Sequence, residues 1–145
     1  MFALGKYLSK RAKYFFVNSA LLLFKTLLNA DVSVVSDIGE GTDILIKDNE
    51  FYSLGGGGIS ISGGDIPKQI PAKNIITNNV FHDWSQVYTI NNPGIKISGM
   101  SMVISHNDFY DSPHEAIMFD SGNTVIEYNN ICNMCSGAKD AGAIY

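Results

Sequence analysis

Cysteine is nearly missing from this chain. Cys132 and Cys135 are the only two among 145 residues, too few for a disulfide framework. Their C-x-x-C spacing suits a redox pair or half of a metal site, but no second pair and no adjacent histidine completes such a site. The favoured reading is two small residues in a loop, and neither a metal nor a cofactor is expected. Positive charge is scarce as well. Arg11 is the one arginine, the formal net charge is −4 and the isoelectric point is about 5.2, so no nucleic-acid partner is expected, because such a partner requires a basic patch. Charged residues make up 17% of the chain, low for a helical protein, whose solvated faces need them. An uninterrupted apolar run is also lacking. Lys6, Lys10, Arg11 and Lys13 precede an apolar stretch from Tyr14 to Leu28. Asn18, Ser19 and Lys25 break that stretch, and it is short for a membrane span of about 20 residues, so no clear span is expected. Residues 1–30 read as a separate N-terminal segment. It is either a structured piece, such as a helix covering one end of the main domain, or a signal-like leader or anchor with Ala30 near its cleavage point.

The chain does contain a repeat. There are 14 glycines, asparagine is frequent from residue 74 onward, and Ile, Val, Phe and Tyr dominate the second half, a mixture that suits short strands with tight turns. The length argues for one domain. Val32, Val34 and Val35 alternate as in a half-buried strand, and Asp37–Gly41 reads as a turn. Four segments then align on an asparagine: Ile44–Tyr52 on Asn49, Ile75–His82 on Asn79, Val103–Tyr110 on Asn107 and Val125–Cys132 on Asn129. Each carries a large apolar residue two positions after the anchor (Phe51, Phe81, Phe109, Ile131), and the anchors are 30, 28 and 22 residues apart. A second strand comes after each: Gly58–Gly63, Gly94–Gly99, Ala116–Gly122 and Ala143–Tyr145. Self-similarity at this period points to a solenoid. Two strands per coil and no helical stretch predict an all-β, right-handed parallel β-helix over residues 31–145 with about four anchored coils, the hand following from the preference of parallel crossovers. A leucine-rich repeat would show an L-x-x-L-x-L frame, and an antiparallel sandwich would not repeat the anchor. Tyr145 falls within a second strand, so the solenoid is expected to be C-terminally incomplete and to continue past it. The anchors are expected to take the left-handed bend between strands and to hydrogen-bond from coil to coil, which makes them scaffold.

The loops between anchor and second strand differ in length. Asn49 to Gly58 and Asn107 to Ala116 each span 9 residues, whereas Asn79 to Gly94 spans 15 and Asn129 to Ala143 spans 14. Two long loops flanking a short one predict a cleft. Its floor would be Asp111, Ser112, Pro113, His114 and Glu115. One wall would carry Trp84, Tyr88, Asn91 and Asn92, and the other Cys132 to Asp140. Counted back from their second strands, His114 and Asp140 should be neighbours on adjacent rungs. Carboxylates, a histidine and an aromatic wall suit carbohydrate, because sugar rings stack on aromatic faces and carboxylates serve as acid and base in glycosidic cleavage. The plain alternative is that Asp and Asn are turn formers and Trp84 packs over the coil edge. The insertion from Gly63 to Asn74, with Pro67 and Pro71, reads as a surface loop. The Gly55–Gly58 run reads as a tight bend packed under a neighbouring loop. It is not a phosphate-binding loop, since no Gly-Lys or helix comes after it.

The stretches DNEFYSLGGGGISISGGD, NNVFHDWSQVY and SHNDFYDSPHEAIMFDSGNTVIEYNNICNMCSGAKDAGAIY resemble the right-handed parallel β-helix repeat proteins of bacteria. The closest resemblance is to their glycoside-hydrolase-like branch, which includes fucosidase- and xylanase-type enzymes acting on plant polysaccharides. The Ser112-Pro113-His114 motif with Ala116-Ile117, and the Asp140–Tyr145 segment, carry the more specific part of it. The resemblance implies an extracellular or periplasmic protein that cleaves a glycosidic bond in a polysaccharide or oligosaccharide. It implies that Asp140 is an acid/base or nucleophile with His114 beside it, and that Asp111, Glu115 and Asp120 are further catalytic candidates. Trp84, Tyr88, Asn91 and Asn92 would contact the sugar. The sequence departs from the active branch at Ser136–Lys139, where an acidic or polar segment is expected. Two other readings stay open: a glycan-binding β-helix without turnover, of the adhesin or tail-spike kind, and a polysaccharide lyase. The lyase ranks third, because its chemistry calls for a basic neutralising group and the chain's one arginine is Arg11.

Overall fold

The computed structural model describes residues 34–137 and 141–145, so the N-terminal segment 1–30 and Asp140 lie outside them. The described residues form twelve short strands and no helix: β1 Val34–Glu40, β2 Leu45–Lys47, β3 Glu50–Tyr52, β4 Gly57–Gly63, β5 Ile75–Thr77, β6 Val80–His82, β7 Ile95–Met100, β8 Val103–Ser105, β9 Asp108–Ser112, β10 Ile117–Gly122, β11 Val125–Glu127 and β12 Asn130–Met134. No helix among them is long and apolar enough to cross a membrane. Every third strand pairs in parallel, giving three four-stranded sheets. Sheet A runs β1-β4-β7-β10, sheet B β2-β5-β8-β11 and sheet C β3-β6-β9-β12. The chain is therefore a parallel β-helix of triangular section, with three strands to a coil where the sequence predicted two. The stretch expected as one strand through each anchor is two, because the chain turns from sheet B to sheet C just before the asparagine. The predicted turn at Asp37–Gly41 is corrected too. Strand β1 runs through to Glu40, and the irregularity there is a register shift between Asp37 and Gly39 against β4.

The corner between sheets B and C shows how the repeat works. The left-handed residue is the one before each anchor: Asp48, Asn78, His106 and Tyr128, with φ of 59°, 54°, 55° and 54°. The anchors themselves do not take that conformation, contrary to expectation. They turn their side chains along the stack instead. The Oδ1 of Asn79 accepts from both the backbone N–H and the Nδ2 of Asn49, each at 3.1 Å. Asn107 receives the same pair from Asn79 at 2.9 and 3.0 Å, and Asn129 from Asn107 at 3.0 and 3.0 Å. Nδ2 groups also donate to a strand carbonyl of the coil before, as Asn107 does to Ile76 at 3.0 Å and Asn129 to Ile104 at 2.9 Å. A buried amide needs all these partners, and only the equivalent residue one coil away can supply them in register.

The apolar ladders arise from the same register. Ile46, Ile76, Ile104 and Ile126 stack inside sheet B, and Phe51, Phe81, Phe109 and Ile131 inside sheet C. The Phe51–Phe81 and Phe81–Phe109 ring centroids lie 4.6 and 4.9 Å apart, nearly parallel, which matches the strand spacing of about 4.8 Å. On sheet A, Ile59, Ile95 and Ile117 point inward and are buried. Gly99, at φ 118°, brings the A strands so close that a methyl there would collide with the Gly63 carbonyl. Asn107→Ala removes the acceptor of two N–H groups at about 1–3 kcal/mol for each buried group left unsatisfied. It is expected to lower unfolding stability by roughly 2–5 kcal/mol in denaturant titration, against less than about 0.5 kcal/mol for the exposed Asn130→Ala.

Candidate functional site

The long coil-two loop, residues 83–94, does not stand up as one wall of an open cleft. It folds across its neighbours. On the coil-one side Ser85 N–H donates to Gly56 O at 2.9 Å, and Val87 and Tyr88 N–H both donate to Gly55 O, at 2.9 and 2.8 Å. The Gly55–Gly58 run is what lets the loop come this near: at Gly58 a methyl would collide with the Gly94 carbonyl. Gly55 and Gly56 form the bend expected under the neighbouring loop, whereas Gly57 and Gly58 belong to strand β4. On the coil-three side Ser112 Oγ donates to Trp84 O at 3.2 Å and His114 Nε2 accepts from Asn91 N–H at 3.2 Å. The predicted floor is thus covered by the predicted wall.

The candidate residues scatter between core, loop and sheet face. Trp84 is 0% exposed, its ring edge-on to Phe81 and Phe109. It offers no stacking face to a sugar, and the alternative of packing over the coil edge is what the structure has. His114 and Glu115 are both buried, with His114 Nδ1 against the Glu115 carboxylate. Since Nε2 accepts an N–H, the neutral ring carries its proton on Nδ1, facing Glu115. Nε2 is thus occupied from within the fold, while Nδ1, buried beside the Glu115 carboxylate, makes no hydrogen bond among the described residues. Tyr88 and Asn91 lie exposed on the loop, and Asn92 is half-buried with its Nδ2 on Ile90 O at 2.6 Å. Asp111 is exposed at a left-handed corner and accepts from Asn133 Nδ2 at 3.0 Å. Asp120 is exposed on the outer face of sheet A. Cys132 is exposed and Cys135 half-buried, both as free thiols. Burial and the Glu115 carboxylate push the Cys135 thiol up, so it stays protonated.

One polar surface was not anticipated. Along sheet A inward isoleucines alternate with outward residues, and strand register stacks those into two rows. Ser60, Lys96 and Met118 form one row; Glu40, Ser62, Ser98 and Asp120 form the other. The long loops 64–74 and 83–94 border this face at the two ends of its strands. Its signal lay in the I-S-I-S and I-K-I-S alternations, read only as strand pattern. Glu40 and Asp120 stand three rungs apart, about 14 Å at a rung spacing of about 4.8 Å. That exceeds the roughly 5–9.5 Å between glycosidase carboxylates, so those two do not form a catalytic pair.

Sheet C carries a different outer ladder, in which His82 lies between the rings of Tyr52 and Tyr110 at 5.4 and 4.9 Å. Only His82 is covered on both ring faces, by the two tyrosines. His82 Nδ1 meets Asp83 at 2.7 Å and Nε2 meets Glu50 at 3.2 Å. Burial alone would push His82 down, but the bonds to Asp83 and Glu50 outweigh it and hold the imidazole above its ordinary value. Burial also pushes the Tyr110 phenol up, aided by Glu50, Asp111, Asp83 and Asp108.

Residues 35–141 match the family described as the right handed beta helix region. The chain belongs to that family. The match spans most of the protein and agrees with the three parallel sheets, so the β-helix is right-handed. No curated protein and no solved structure matches the chain.

This geometry can be tested at the core and at the sheet C ladder. Trp84→Ala empties a fully enclosed site and should cost about 3–5 kcal/mol of unfolding stability, measured by chemical denaturation. For His82 the folded value lies above the unfolded one, so its contribution is complete below about pH 6.5 and disappears as pH rises through the folded value. His82→Gln should therefore destabilise the protein more at pH 5.5 than at pH 9, read from denaturation midpoints at both.

Proposed function

We propose that this β-helix is carbohydrate-active and holds a polysaccharide across the outer face of sheet A. The observation that carries the reading is the in-register polar row Ser62–Ser98–Asp120 with Lys96 beside it, bordered by the loop that exposes Tyr88 and Asn91. Hydroxyls, a carboxylate and an ammonium spaced about 4.8 Å apart along a flat sheet match the hydroxyl-rich edge of an extended glycan. The two carboxylates of a glycosidase must both reach the scissile bond. Asp120 is exposed on this face, and Asp140, assigned by the sequence resemblance, is the candidate partner. In this reading one protonates the leaving oxygen while the other attacks or activates water.

A second reading has its own support. His114 and Glu115, two of the predicted catalytic candidates, are buried beside each other. That favours a glycan-binding face without turnover. One assay separates the two. The protein is incubated with a panel of soluble plant polysaccharides, and both binding and reducing-end release are measured. The hydrolase reading expects release that drops by at least about 100-fold in Asp120→Asn and in Asp140→Asn while binding persists. Binding without release from any glycan supports the second reading, and absence of binding from the whole panel contradicts both.

A further inference from the structure

The Ser112-Pro113-His114-Glu115 turn was singled out by sequence as the cleft floor, yet its side chains are spent on the loop above it. Ser112 Oγ holds the start of that loop through Trp84 O, and His114 Nε2 holds its end through Asn91 N–H. The Ser112 hydroxyl also lies 3.5 Å from the His114 N–H, and Pro113 O accepts from Gly137 N–H at 3.2 Å. The turn is thereby pinned from coil four while it pins coil two. His114 Nδ1 lies beside the buried Glu115 carboxylate without a hydrogen bond to it, and its Nε2 faces the Asn91 N–H.

An acceptor of this kind works in one protonation state only. Neutral His114 accepts the Asn91 N–H. Once Nε2 gains a proton, two donors face each other and the bond is lost. We propose that this turn is a protonation-released clasp, in which His114 is the positioning residue that holds the coil-two loop beside sheet A in its neutral form and frees its Asn91 end when protonated. The groups that bear on this step among the described residues are few. Glu115 faces the ring from its own turn, and the Cys135 thiol near Glu115 belongs to the coil-four turn. The loop itself, residues 83–94, carries one carboxylate, Asp83, which is engaged with His82 Nδ1 at 2.7 Å, and Tyr88 is its one other titratable side chain. The end set free carries the exposed Thr89, Ile90 and Asn91, while Val87 and Tyr88 stay bonded to Gly55 O. The consequence for ligand, weaker glycan retention in acid, rests on the reading of sheet A as the glycan face; the clasp does not.

The test tracks the Asn91 amide by nuclear magnetic resonance in the full chain, with no glycan present. Its hydrogen-exchange protection factor is measured across a pH series alongside the titration of the His114 ring. Ile76, in the core of sheet B, serves as the reference for global opening. Asn91 protection is expected to fall at least tenfold in step with His114 protonation while Ile76 stays protected. In His114→Gln, whose amide oxygen accepts but does not titrate, Asn91 protection should not depend on pH. Asn91 protection that is constant through the His114 titration, or that falls only together with Ile76, would overturn the clasp, as would an unchanged acid response in His114→Gln. The wild-type series decides the matter even if that variant does not fold. Since no glycan enters the measurement, failure of glycan binding leaves its result untouched.

Discussion

The column of asparagine amides at the corner between sheets B and C is the constraint on which the rest of the structure depends. Its amides are buried or nearly so, and they find their partners on the neighbouring coils. A buried amide without them would cost more than most single contacts return. The column therefore sets the register from coil to coil, and the register does the rest. It places phenylalanine over phenylalanine at ring-stacking distance and isoleucine over isoleucine. On the outside it lines up serines, a lysine and an aspartate on one sheet and a Tyr–His–Tyr stack on another. Scaffold and surface are two faces of one alignment.

Much of this was legible in the order of residues, for a physical reason. Asn49, Asn79, Asn107 and Asn129 recur because the column needs a short side chain that both donates and accepts, and the apolar residue two positions on must recur because it faces the core. The third strand of each coil was not legible. Strands of three to five residues on either side of a left-handed residue look continuous, and that residue is chemically unconstrained: Asp48, Asn78, His106 and Tyr128 all serve. The candidate site was read less well. Trp84, an aromatic in a long loop, looked like a wall for sugar. It fills the space beside Phe81 and Phe109, a relation between coils that no local pattern encodes. Ser112 and His114 drew notice as chemistry, when their partners are backbone groups of Trp84 and Asn91, which leave no trace in sequence.

The loops divide the labour differently from the rungs. Loop 83–94 is held by the Gly55 and Gly56 carbonyls on one side and by the Ser112–His114 turn on the other. Its insertion into the repeat is thereby tied to both neighbouring coils, while its tip keeps Val87, Tyr88 and Ile90 in solvent. The loop's position beside the stiff sheet faces is thus set by a few polar clasps.

If the amide column governs the register, its rungs cannot act independently. A double-mutant cycle of Asn79→Ala and Asn107→Ala, measured by equilibrium unfolding, tests this most directly. A coupling energy of at least about 1 kcal/mol between the two rungs is expected, since the Asn107 Oδ1 is the shared acceptor of the Asn79 N–H groups. Additive effects, within about 0.3–0.5 kcal/mol, would contradict it.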